Sequence, residues 1–171
     1  MGRFEGRGPP ETVEYEPTSV KDLLVEMKDT AELLIDLSYS AVLHRSPNVA
    51  REVLKLENKM DVLQLRARMS LMMAARSPDD AEALAPVLGV VAGADKISDA
   101  AGDIAKIVIE EIGLPEAMRG ALSEAVEMLV RATVTADSPY AGRTLQEIDL
   151  ESETGVRVIA IRRADDWILN P

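Results

Sequence analysis

The chain has 171 residues, no cysteine, 47% hydrophobic but only 3% aromatic residues, and a formal net charge of −11. Without cysteine there are no disulfides, thiolate metal sites or cysteine nucleophiles, and a strongly acidic balance with no basic stripe argues against a nucleic-acid backbone as partner. One or two small domains fit this length, and so aromatic-poor an interior has to be built from Leu, Val, Ile, Ala and Met, which favours helices. Residues 1–17, rich in Gly, Pro and Glu, have no apolar centre and read as a disordered lead-in rather than a signal peptide. The longest nearly apolar run, 85–94, is too short to span a bilayer. A soluble, cytoplasmic protein that meets any membrane partner without inserting is expected.

Helix one is predicted to start at Thr18 or Ser19 as N-cap, with Asp22 in its first turn. It carries Val20, Leu23, Leu24, Met27, Ala31, Leu34, Leu37 and Ala41 on one stripe and stops near Arg45. Ser46-Pro47 then offers an N-cap with proline at the first helical position. Helix two follows with Val49, Val53, Leu56, Met60, Leu63, Ala67 and Leu71. At about 100° per residue, Leu54, Leu65 and Met72 form a second apolar side with Asp61 among them. That side is either a homodimer contact or a seat for helices one and four. Ser77-Pro78 repeats the start signal for helix three, whose predicted inward residues are Leu84, Val87, Leu88, Val91, Ala94, Ala101, Ala105, Val108 and Ile109, with a mild kink at Pro86 and a stop at Gly113. Pro115 opens helix four, which carries Met118, Leu122, Val126, Leu129 and Val130 to about Ala136. Residues 18–136 thus read as an up-down antiparallel bundle of three to four helices.

The remaining residues, 137–171, change character. Ser138-Pro139 ends helical structure, and Thr144 to Ile148 make one helical turn. Val156 to Ile161 form a β-branched run, Arg162 to Asp166 a turn, and Trp167 to Leu169 the start of a return strand. Ser138-Pro139, Gly142-x-Thr144-Leu145-x-Glu147-Ile148, Thr154-Gly155-Val156, Arg162-Arg163 and Trp167-Ile168 before Asn170-Pro171 follow one another in an ordered series. The series resembles the opening part of a TrkA-C domain. In that family the fold continues for several more strands, so the resemblance implies a truncation or one part of a larger polypeptide. It also implies a dimer, and in some members a bound nucleotide such as cyclic di-AMP. Carried over, Ile159, Ile161, Arg163 and Asn170 are the candidates for such a ligand, against the plain reading of Arg162 and Arg163 as solvated turn charges.

The bundle resembles a single repeat of the PhoU family. The residues that carry the likeness are Glu57-Asn-Lys-Met-Asp61 on helix two and Asp95-Lys-Ile-Ser-Asp99-Ala-Ala-Gly-Asp103 on helix three. In that family, acidic residues four apart on these helices hold metal ions. The resemblance therefore implies a divalent or iron-type metal ion at Glu57, Asp61, Asp95, Asp99 and Asp103. Physically, an i,i+4 acidic pair presents two carboxylates from one face, and two antiparallel helices can gather several around a hard cation. Asp95 lies near the middle of the buried stripe of helix three, where an ionised carboxylate needs compensation. A metal would supply it; so would Lys59, Lys96 or Arg66, or solvation at the stripe's edge.

Catalytic readings have little support. The only histidine, His44 at the end of helix one, lacks the Glu-x-x-His context of a di-iron site and reads as a partner of the helix dipole. The spaced glycines from Gly89 to Gly102 lie inside a helix with no strand before them, unlike a dinucleotide loop. The sequence thus points to a regulatory protein that is not an enzyme. The combined likeness implies an accessory subunit of a potassium or other cation transporter, and the alternative is a metal-binding adaptor of phosphate transport.

Overall fold

A computed structural model describes residue 13 and residues 16–125, 129–164 and 166–171. The chain divides into two compact units, Met1–Val126 and Glu127–Pro171.

The first unit is a bundle of α1 (Val20–Leu43), α2 (Pro47–Ala74) and α3 (Pro78–Ile109), followed by the shorter α4 (Glu116–Ala125). Each long helix begins where a serine side chain can accept a backbone N–H of its first turn. Ser19 accepts from Asp22, Ser46 from Val49 and Ser77 from Asp80, and the last two are followed by proline at the helix start. The core is aliphatic: Leu23, Met27 and Leu34 of α1 meet Val53, Leu56, Met60 and Leu71 of α2, and Val91, Ala101 and Ala105 of α3, all nearly inaccessible. All seven residues predicted for the inner stripe of α2 are buried. The lead-in falls mostly outside the described residues, but Glu16 pairs with Arg66 of α2 at 3.0 Å.

α3 departs from expectation. Val91, Ala101 and Ala105 are buried together with Ser98 and Gly102, whereas Leu84, Val87, Ala94 and Val108 are only half-buried and Leu88 and Ile109 are exposed. α3 is the longest helix, with 32 residues against 24 in α1 and 28 in α2, and an apolar period alone does not fix where a neighbouring helix reaches it.

α1 and α3 end in the same way. Arg45 (φ 47°) and Glu111 (φ 55°) take the left-handed conformation. Ser46 N–H then reaches the Ala41 carbonyl at 2.9 Å, and Ile112 N–H reaches that of Ile107 at 3.0 Å. These are Schellman closures with a side chain where glycine is the usual occupant. Helix three therefore turns at Glu111, ahead of Gly113, because the closing bonds already satisfy its last carbonyls. Glu111→Gly is expected to raise stability by about 0.5–1 kcal/mol by removing the left-handed strain, read as a higher urea midpoint. A lower midpoint would contradict this closure.

Helix four is also shorter than expected. It ends at Ala125, residues 129–135 are not helical, and the predicted position Val126 lies outside the described residues. Thr133, Val134 and Thr135 are β-branched, which lowers helix propensity, and the apolar spacing that suggested continuation is overridden.

In the second unit, α5 (Leu145–Ile148) is closed by a full capping box between Thr144 and Glu147. Bonding to the backbone N–H and hydroxyl of Thr144 holds the Glu147 carboxyl below its usual range. α6 (Leu150–Thr154) ends at Gly155, φ 70°. β1 (Ala160–Arg163) and β2 (Asp166–Leu169) form an antiparallel hairpin with Ile161 opposite Ile168 and Arg163 opposite Asp166. The turn is tighter than predicted, since Arg162, Arg163 and Asp166 belong to the strands and Ala164 (φ 53°) makes the bend. The ladder also begins later than Val156. Its outermost rung pairs Ala160 with Leu169.

Candidate metal centre

α2 and α3 run antiparallel, and their shared face brings Asp61 of the first beside Asp95 and Asp99 of the second. One carboxylate oxygen from each lies within 4.8 Å of the other two, and all three residues are half-buried. Oxygens around a cation bound at about 2.3–2.6 Å are separated by no more than about 5 Å, so this spacing suits a single hard ion. An all-oxygen donor set favours Mg, Ca or Mn over softer metals.

The electrostatics are those of crowded acids. Burial, then the charges of Asp99 and Asp61, push the Asp95 carboxyl above its ordinary range, while a hydrogen bond with Gln64 and the charge of Arg68 act in the opposite direction. Two of the three cations that the sequence offered as compensators are engaged elsewhere. Lys59 Nζ lies 2.7 Å from Glu26 of α1, and Arg66 pairs with Glu16. Lys96 is exposed on α3.

The other two predicted ligands stand outside this group. Glu57 is 6% exposed, and its carboxylate packs where a side chain at Gly102 would begin. A Cβ built there would lie 2.5 Å from Glu57 Cδ. Asp103 is exposed and its carboxylate lies 3.0 Å from Lys106 Nζ. Conversely, the sequence reading passed over Gln64 and Arg68, which act directly on Asp95. Their signal is spacing: three and seven residues beyond Asp61, they share its side of α2.

In the second unit, strand alternation puts Ile161 and Arg163 on one face of β1, while Ile159 and Asn170 lie just beyond the paired residues and Asn170 takes the left-handed conformation, φ 45°. Ile159 and Ile161 are half-buried, and Arg163 and Asn170 are exposed. Asn170 donates its N–H to the Ile159 carbonyl at 2.9 Å. Asn170 also lines a small cleft with Gln146, Asp149, Glu151 and Arg157, and the other three candidates are not part of that lining. His44 is the C-cap residue of α1. Among the described residues no helix is long and apolar enough to cross a membrane.

Comparison with known families gives two matches in series, PhoU over residues 24–108 and TrkA-C over 129–171. No curated protein matches the chain at a significant level. Both matched domains are regulatory rather than catalytic, which fits a chain that is not an enzyme. The three-carboxylate face lies wholly within the first match and the hairpin wholly within the second: the chain carries a PhoU domain followed by a TrkA-C domain.

Proposed function

We propose that this chain is a cytoplasmic regulatory or accessory subunit of a potassium or other cation transport system. The observation that carries the reading is the union of the two regulatory domains in one chain. The helical unit reads a cation through Asp61, Asp95 and Asp99. Ile159, Ile161, Arg163 and Asn170, at and beside the hairpin, are the proposed contact for a small ligand such as a cyclic dinucleotide. Binding biases the geometry of a homodimer, and a membrane transporter reads that population shift. The test is cation uptake in cells with and without the chain. A changed rate of potassium or rubidium uptake, reproduced by Asp95→Asn in the full chain, is expected. Unchanged uptake of both ions would contradict the proposal.

The three-carboxylate face also supports a second reading, a metal-binding adaptor of phosphate transport regulation. It predicts metal bound at the three aspartates with no response to potassium or to cyclic dinucleotide. Deleting the chain would then alter the response to phosphate limitation while leaving cation uptake unaffected.

A further inference from the structure

One buried hydroxyl of α3 is left over from the packing described above. Ser98 is 1% exposed, and its Oγ has no hydrogen-bond partner among the described residues. Burying a hydroxyl without a partner is unfavourable, and alanine at this position would avoid that cost while favouring the helix. Its neighbours along α3 show which way Ser98 faces. It follows Asp95 by three residues and precedes Gly102 by four, so the three share one side of the helix. That side is turned to α2 at both ends, since Asp95 lies beside Asp61 and Gly102 lies against the Glu57 carboxylate. Ser98 therefore stands between these two contacts. It flanks Asp95 on the core side, and the half-buried Asp99 flanks it on the other.

An ion held by the three aspartates needs more oxygens than they provide. Hard divalent cations such as Mg²⁺ and Mn²⁺ favour octahedral sites of six oxygens, and one oxygen from each aspartate fills half of such a shell. Three carboxylates already carry more negative charge than a divalent ion balances, so another acid would add repulsion, whereas a hydroxyl adds an oxygen without charge. Water can complete the shell on the solvent side. We infer that Ser98 Oγ is the core-side ligand of a hard divalent cation held by Asp61, Asp95 and Asp99. The inference rests on the cation reading given above and adds a neutral ligand to it. Thr30 and Ser70 carry hydroxyls in the same unpartnered condition, but Thr30 is on α1, which supplies none of the three aspartates, and Ser70 stands nine residues, roughly 14 Å, from Asp61 along α2.

The test is isothermal titration of the full chain with Mn²⁺ and with Cd²⁺, beside Ser98→Ala, Ser98→Cys and, as a control, Ser70→Ala, with urea unfolding of each metal-free protein. Ser98→Ala is expected to weaken Mn²⁺ binding by at least about tenfold while leaving the metal-free protein no less stable, because the hydroxyl it removes has no partner there. Ser98→Cys should weaken Mn²⁺ similarly and bind Cd²⁺ at least about tenfold more tightly than the wild type, since a thiolate suits a soft metal. Ser70→Ala removes an unpartnered hydroxyl far from the aspartates and should leave both affinities unchanged. Mn²⁺ affinity unchanged in Ser98→Ala, equal losses in Ser98→Ala and Ser70→Ala, or no gain for Cd²⁺ in Ser98→Cys would each overturn the inference and leave the cation reading standing. A lower urea midpoint for metal-free Ser98→Ala would also overturn it, by showing a hydroxyl engaged within the protein. A wild type that binds no Mn²⁺ would overturn the cation reading itself, and the role of Ser98 with it.

Discussion

Asp95→Asn is expected to stabilise the metal-free protein at neutral pH and to abolish the stabilisation that a divalent cation confers. Burial and two neighbouring carboxylates raise the Asp95 carboxyl above its ordinary range. Below that range it is protonated in both the folded and unfolded states and has no effect on the balance. As the pH rises, the unfolded chain ionises first, so the folded state holds more protons and stability declines until the raised value is passed. The metal-free wild type should therefore gain stability on acidification through the region just above the usual aspartate range, and the asparagine variant should lack that slope. A cation at about 100 times its dissociation constant adds about 2.7 kcal/mol to the wild type, a shift of roughly 5–10 °C in melting temperature for a chain of this size. Thermal melts with and without Mn²⁺ across a pH series read both effects. Equal cation shifts in wild type and variant would show that these carboxylates are not the binding site.

Gly102→Ala should change sign with its background. In the wild type the new methyl meets the buried Glu57 carboxylate at 2.5–2.7 Å. The carboxylate end of a flexible side chain can move, but Glu57 is almost wholly buried, and taking a buried acceptor from its place costs about 1–3 kcal/mol. Set against a gain of up to about 1 kcal/mol in helix propensity, this leaves an expected net loss of up to about 2 kcal/mol. With Glu57→Ala already in place the clash is gone, and the same substitution should stabilise by up to about 1 kcal/mol. Urea unfolding of the four proteins of this double-mutant cycle is the check, and a loss of equal size in both backgrounds would contradict the packing described.

What the sequence reveals here follows from where its signals are local. Serine-proline punctuation and serine caps mark the helix starts without reference to tertiary structure, and the stripe of α2 is legible because that helix is flanked along its length by α1 and α3. The exposed parts of α3 were not legible, since periodicity marks Leu88 and Ile109 as apolar but says nothing about whether a neighbour reaches them. α6 has no apolar period in Leu-Glu-Ser-Glu-Thr, so the sequence reading assigns no helix there. At the carboxylate face, i,i+4 spacing nominated five acids, but spacing along two helices leaves their mutual offset open. That offset sets Glu57 beneath Gly102, leaves Asp103 with Lys106, and joins Asp61 to Asp95 and Asp99.

The account depends most on those three aspartates acting as one cation site. Isothermal titration of the full chain with Mn²⁺, repeated with Asp61→Asn and Asp95→Asn, measures this directly. Saturable binding that each substitution weakens by at least about tenfold is predicted. An absence of saturable binding, or binding that survives both substitutions unchanged, would contradict it.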